Sequence, residues 1–157
     1  MKLYLIRHGD ALSANLDLTR PLSKAGERQV ESLATFLAGR GVQVARVCHS
    51  GKTRAAQTAE RLAAAVAPGV TPEAVTDARP NDPARPLYRQ IYSWREDSLI
   101  TGHLPHLSCL ASRLLFETEL PQAFDFEPAA AACLERDESG EWSLLRFLEP
   151  ELLAVGR

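Results

Sequence analysis

The chain has few cysteines, and the three it carries, Cys48, Cys109 and Cys133, are scattered without C-x-x-C spacing. That pattern gives no disulfide frame and no cysteine zinc site, and it reads as small buried hydrophobes in a reducing compartment. Long apolar runs are also missing. The N-terminal run Leu3-Tyr4-Leu5-Ile6 is too short for a secretory signal, and no segment approaches the roughly 18 apolar residues of a membrane helix. There is no basic excess: the net charge is -2 and the pI about 6.1, which argues against a dedicated nucleic-acid binder. Repeats, low-complexity tracts and linkers are absent. What remains is ordinary: 45% hydrophobic and 24% charged residues over 157 positions. This composition fits one soluble domain over residues 1–157 with a full hydrophobic core. It is expected to be cytoplasmic and, with no large apolar stripe, monomeric.

The apolar pattern sets the expected elements. Residues 3–6 form a continuous apolar stretch, as in a strand buried on both faces. Ser23 is placed to cap a helix on which Val30, Leu33, Ala34 and Leu37 share one face, and Gly39-Arg40-Gly41 ends it. Residues 42–48 read as a second strand. Residues 52–66 read as a helix with Ala55, Ala59, Leu62, Ala63 and Val66 on its buried face, stopped by Pro68-Gly69. Residues 70–75 are a weak strand. Residues 77–86, with Pro80, Pro83 and Pro86, read as a loop before a short helix at 87–94. A strand at 98–101 leads to Gly102-His103-Leu104-Pro105, where Pro105 suits a helix start and Leu107, Leu110, Ala111 and Leu114 form the apolar face. Residues 129–135 and 141–148 flank Asp137-Glu138-Ser139-Gly140, a hairpin signal. The segment 150–157 is left without an element, to pack or fray. Strand–helix alternation closed by a hairpin predicts an α/β three-layer sandwich. Its sheet is mixed and mostly parallel, with helices on both faces and a C-terminal β-hairpin.

Chemistry gathers at the strand ends, where ligands sit in open α/β sheets. The first strand ends in Arg7-His8-Gly9 and the second in His49-Ser50, with Arg54 in the first turn of the next helix. The strand at 98–101 ends in Gly102-His103 ahead of a helix N-terminus, which favours an anion. Arginine is a planar clamp for phosphate, and histidine can act as a covalent nucleophile. Two arginines and two histidines converging on one pocket suit a phosphoryl group.

Four segments carry a family resemblance: Arg7-His8-Gly9-Asp10-Ala11; Arg20-Pro21-Leu22-Ser23-Lys24-Ala25-Gly26; Ser50-Gly51-Lys52-Thr53-Arg54-Ala55-Ala56-Gln57-Thr58; and Gly102-His103-Leu104-Pro105-His106-Leu107. In this order the chain resembles the histidine phosphatase superfamily, with its phosphoglycerate mutase-like fold, and most resembles the short SixA-type phosphohistidine phosphatases. The resemblance implies that His8 attacks phosphorus and carries it as a phosphohistidine, while Arg7, Arg54 and His103 hold the equatorial oxygens. It puts Arg20 at the pocket rim and gives Ser50 a share in the phosphate pocket, a helix cap being the equal alternative. The arginines do the work of a metal, so no cofactor and no metal are expected. A general acid is harder to find. Asp77, Asp82 and Asp10 are the candidates, and the lack of a clear one favours P–N over P–O substrates. The implied partner is a phosphohistidine-bearing protein, with no nucleic acid and no membrane.

Plainer readings stand beside these. Asp77 and Asp82 are typical turn formers next to prolines. His103 and His106 have H-x-x-H spacing but no evident further metal ligand. His49 reads as a strand-end residue without a role, and Arg79, Arg85, Arg89 and Arg95 as a solvated face. The competing functions are a phosphomonoesterase for a small metabolite and a silent phosphoprotein-binding module.

Overall fold

Alternation along the first strand settles the layering. In a computed structural model, which describes residues 1–120, 122 and 124–153, β1 (Lys2–Arg7) sends Leu3 and Leu5 into one core and Tyr4 and Ile6 into another. All four are buried, as expected for a strand covered on both faces. The other strands are β2 (Arg46–His49), β3 (Glu73–Ala74), β4 (Ser98–Gly102), β5 (Ala131–Arg136) and β6 (Trp142–Leu148). The sheet order is β3-β2-β4-β1-β5-β6. The first four strands of that order pair in parallel, and β5 and β6 add an antiparallel hairpin against β1. The sandwich, its mixed sheet and its closing hairpin match the expectation.

Helices α1 (Lys24–Gly39) and α2 (Thr53–Val66) cover the face with Tyr4 and Ile6. Helices α3 (Ala84–Ser93) and α4 (His106–Phe116) cover the face with Leu3, Leu5 and Ile100. A short α5 (Pro150–Leu153) rests on α1. Residues 154–157, the rest of the segment left open to pack or fray, lie outside the described residues. The three cysteines are free, with Cys48 and Cys133 buried in the two cores. No described helix is long and apolar enough to cross a membrane.

Local chemistry explains the element ends. Ser23 caps α1 as expected, its Oγ accepting from the Gly26 N–H at 3.0 Å. β2 is shorter than the run 42–48, because the Val44 and Ala45 N–H groups donate to Val66 and Asp97 before strand pairing starts. α3 begins three residues early, inside the expected loop. Pro83 caps it, and Pro86 falls in its first turn, where a helix has no use for the missing N–H. β5 starts two residues late, because Ala129 turns with φ 61 and donates its N–H to the carbonyls of Arg7 and His8.

Gly9 has a different reason from the turn its sequence suggests. Its φ is not positive; what matters is close approach. A Cβ on Gly9 would lie 2.8 Å from the Gly26 carbonyl oxygen, and one on Gly26 would lie 1.9 Å from the Asp10 carbonyl oxygen. Two glycines thus let the chain beyond β1 lie directly on the first turn of α1.

Gly26→Ala is expected to destabilise the protein by about 3 kcal/mol, since backbone must move, and to lower Tm by roughly 6–12 °C. Gly39→Ala, with open space around its Cβ, should be neutral or slightly stabilising. Equal thermal midpoints for the two variants would disprove the close-approach argument.

Candidate active site

The sheet order brings the chemistry together. β2, β4 and β1 are consecutive neighbours and parallel, so their carboxyl ends emerge side by side. The His8 N–H donates to the Gly102 carbonyl at 3.0 Å, and from the other side the Ala129 N–H donates to the Arg7 and His8 carbonyls at 3.1 Å. The end of β1 is therefore gripped between β4 and the start of β5.

His8 is buried and hydrogen-bonded at both ring nitrogens. Its Nδ1 lies 2.6 Å from the Gly9 carbonyl oxygen. A carbonyl can only accept, so Nδ1 carries the proton and Nε2 keeps its lone pair. The Arg54 Nε–H donates to that Nε2 at 3.3 Å. Burial is the main cause that pushes the His8 pKa down to about 4; the Gly9 carbonyl opposes it, and the charges of Arg54, Arg7 and Arg20 add to it. His8 is a neutral imidazole with a basic nitrogen aimed at guanidinium groups.

His103 lies beside it, with ring centroids 5.0 Å apart and planes tilted by 55°. A 2.5 Å hydrogen bond joins its Nε2 to Ser50 Oγ, and its buried Nδ1 has no hydrogen bond. Burial, then the charges of His8, Arg54, His106 and Lys52, lower its pKa to about 3. Ser50 Oγ meets His103 and accepts the Lys52 N–H at 3.3 Å, but it is not the cap of α2, whose N-cap is Lys52 with no side-chain cap hydrogen bond.

Arg7 Nη1 donates to the Phe126 carbonyl at 2.7 Å, and its buried Nε has no partner. The four ion pairs among the described residues involve neither Arg7, Arg20, Lys52 nor Arg54. Arg54 is itself buried, and burial together with Arg20 lowers its pKa. Cations held close without a carboxylate repel one another and lose hydration. The arrangement concentrates positive charge without a carboxylate to neutralise it. It can hold a tetrahedral oxyanion against a neutral nucleophilic nitrogen.

The buttresses come from inside the motifs, as Gln57 and Thr58, and from just outside them, as Gln29 and Thr101. Thr58 Oγ1 accepts the Gly9 N–H at 3.2 Å and donates to the Arg54 carbonyl at 2.8 Å. Thr101 Oγ1 donates to the Ala55 carbonyl at 2.8 Å, pinning the first turn of α2 to β4. Gln57 accepts from the Leu22 N–H and Gln29 from the Asp10 N–H. Sequence reasoning missed the Phe126 carbonyl, Lys52 and the bracing role of Thr58. Lys52 and Thr58 stand in a quoted motif, whereas the Phe126 carbonyl is 119 residues from Arg7 and has no local signal.

The carboxylate candidates divide. Asp10 Oδ2 accepts a 2.5 Å hydrogen bond from Ser23 Oγ, at the cap of α1. Asp82 Oδ2 accepts from the Arg79 N–H at 2.9 Å and closes a turn. Asp77 has φ 61, and its backbone and charge bear on the buried His106. Arg20 has φ 47; its Nε donates to the Leu12 carbonyl at 3.0 Å, and its charge reaches both His8 and Arg54 from the rim. His106 is turned toward Asp77, and no group of three His, Cys, Asp or Glu that could hold a metal occurs among the described residues. His49, expected to have no role, accepts the Gly51 N–H on Nδ1 at 3.0 Å and shapes the turn into Ser50. Arg79, Arg85, Arg89 and Arg95 are exposed.

The low pKa of His8 has a sign that can be checked. Its folded value lies below its unfolded value of about 6.5, so the unfolded chain alone gains a proton as pH falls through 6.5. Stability from this group is full above that pH and is lost progressively toward pH 4, on the order of 3 kcal/mol. His103 acts in the same direction. An NMR titration should place the His8 midpoint near 4; a midpoint above 6 would refute the neutral-imidazole geometry.

The chain is similar to known proteins in sequence and in fold. The profile of the Histidine phosphatase superfamily (branch 1) matches residues 3–79. Phosphohistidine phosphatase SixA of Escherichia coli (strain K12) is 28% identical over 145 residues, covering 89% of this chain and 88% of that protein. A solved structure of the protein histidine phosphatase SixA complexed with tungstate superposes with a TM-score of 0.85 at 27% identity, covering 98% of this chain and 99% of the other. The alpha-ribazole phosphatase of Shigella flexneri shares the fold, with a TM-score of 0.77 at 18% identity over 96% of this chain and 97% of its own. The chain is therefore a phosphatase whose sequence and fold resemble the histidine phosphatase superfamily, and its SixA-type members in particular.

Proposed function

We propose that the chain, as one domain over residues 1–157, removes phosphoryl groups from phosphohistidine on proteins. The observation that carries the mechanism is the state of His8: proton on Nδ1, lone pair on Nε2, and a guanidinium donor against that lone pair. In the first step Nε2 forms a bond to phosphorus while the bond from phosphorus to the substrate nitrogen breaks, and the departing imidazole keeps the electron pair and a proton. In the second step a water oxygen attacks phosphorus, and the bond to Nε2 breaks to release phosphate. Arg7, Arg54 and His103 would hold the three equatorial oxygens, and the role of the protein is positioning and charge.

The substrate class follows from the acids. An alkoxide leaving from an ester needs a proton donor in line with it. Asp10 and Asp82 already serve Ser23 and the Arg79 N–H. An imidazole on phosphorus leaves readily once protonated and needs less help. The similarity to a protein named for phosphohistidine hydrolysis supports the same reading. Asp77 keeps a phosphomonoesterase of a small metabolite as the second reading, since the small-molecule phosphatase of Shigella flexneri has the same fold. The free cysteines suit a reducing cytoplasm, and the protein would act as a monomer on a phosphoprotein, without nucleic acid or membrane.

The test is hydrolysis of a phosphohistidine carrier protein beside a panel of phosphomonoesters. The carrier should be the fast substrate. His8→Ala should lose at least about 10³-fold in rate and form no acid-labile phosphoenzyme, as expected for a missing nucleophile. Arg54→Ala should lose about 10²- to 10³-fold, as for a charge-stabilising donor. Fast turnover of one ester with an inert carrier would move the chain to the metabolite phosphatases and give Asp77 the acid role.

A further inference from the structure

The loop that carries Arg20 also carries two leucines with no partner. Leu16 is 76% and Leu18 is 89% exposed. Single exposed leucines are common on protein surfaces, but two on one short loop next to the candidate site call for an explanation.

The loop is built to hold them out. Its neck is closed by the Leu12 N–H to the Pro21 carbonyl at 2.9 Å and by the isolated bridge between Ala11 and Leu22. Within it, Leu16 and Asp17 donate to the Ser13 carbonyl, and Arg20 donates to the Asp17 carbonyl. Asp17 Oδ1 accepts both the N–H and the hydroxyl of Thr19, at 2.9 and 2.7 Å. Arg20 Nε reaches back to the Leu12 carbonyl. These bonds fix the backbone on both sides of the leucines, so little ordering entropy is left to lose when they are covered.

The loop leaves directly from the site: its neck, bridged between Ala11 and Leu22, starts three residues after His8, and the Leu22 N–H donates to Gln57 on the helix that carries Arg54. The charge of Arg20, two residues beyond Leu18, bears on both His8 and Arg54. A ligand that fills both features must present a phosphoryl group with apolar surface next to it. Sugar and nucleotide phosphates carry hydroxyls there and would leave the leucines in water. A folded protein with apolar side chains around its phosphorylated histidine meets both demands.

We propose that Leu16 and Leu18 are the docking anchors for a protein substrate, seating an apolar patch that flanks its phosphohistidine. The proposal rests on the phosphohistidine reading of His8 and adds the surface that selects proteins over small phosphates. Its occupant is the substrate protein, rather than a second copy of this chain.

The test uses the full chain and the double variant Leu16→Ser, Leu18→Ser, which should keep its thermal midpoint because both side chains are exposed. The substrates are a histidine phosphotransfer domain phosphorylated in vitro and phosphoramidate, a small P–N compound. The variant should lose about 10- to 100-fold in kcat/KM on the phosphorylated domain, chiefly through KM, as when central apolar anchors of an interface are removed. It should keep its rate on phosphoramidate. Equal losses on both substrates, or no loss on the domain, would overturn the proposal. So would a wild-type dimer that the substitutions dissociate, since the leucines would then serve self-association. A wild-type enzyme that ignores the domain but hydrolyses esters would overturn the phosphohistidine reading itself, and the docking surface with it.

Discussion

Two guanidinium groups without a carboxylate, Arg54 buried and Arg7 half-buried, beside an imidazole held neutral, are the constraint on which this structure turns. Arg7 and Arg54 cannot be relaxed by ion pairing, because an acid at the pocket would compete with the phosphoryl group for the same donors. Their charge is instead spread over neutral acceptors: the Phe126 carbonyl for Arg7 and His8 Nε2 for Arg54. Each bond fixes a direction and leaves other guanidinium donors for the ligand. The same charges, with burial, hold His8 below its ordinary pKa. Nucleophile and clamp are therefore one electrostatic unit.

That unit exists because backbone from distant parts of the chain is joined by hydrogen bonds and close packing. The β1 end is locked to β4 by His8 and to the start of β5 by Ala129, and it lies on α1 through the paired glycines. Thr58 couples the Gly9 backbone to the carbonyl of Arg54, so nucleophile and clamp move together. Asp10 belongs to this frame: its carboxylate and carbonyl both engage Ser23, at the start of the helix against which Gly9 packs. Adjacency in sequence made it a candidate acid, while its bonds make it part of the hinge between β1 and α1.

What was legible in the chain follows the range of each interaction. The α1 cap, the buried faces of α1 and α2, the hairpin and the four-segment site are read from nearest neighbours or from a motif, and they stand where expected. The start of α3 was hidden because prolines signal loops unless their place in a first turn is known. The real reason for Gly9 was hidden because it is steric and its partner, Gly26, belongs to another element. The Phe126 carbonyl had no signal at all: a backbone oxygen has no side-chain identity, and only burial of the Phe126 ring, edge-on to Phe147 with centroids 5.1 Å apart, aims it.

The leaving group then links chemistry to recognition. On the phosphohistidine reading, an enzyme whose Asp10 and Asp82 are engaged elsewhere would draw its specificity from substrates whose leaving group departs readily once protonated, and imidazole on phosphorus is such a group. It must also avoid random hydrolysis of reactive phosphoramidates, which the pocket alone cannot ensure, since the clamp reads only phosphoryl oxygens. Selection has to come from contacts outside the clamp. The rigid loop from Leu12 to Pro21 is suited to supply them, because Arg20 sets the field at the pocket while Leu16 and Leu18 stand in solvent on the same frame. If Leu16 and Leu18 dock the substrate protein as proposed, electrostatics at the loop base and apolar contact at its tip would divide the work: the first would hold any phosphoryl group, and the second would choose the molecule that carries it.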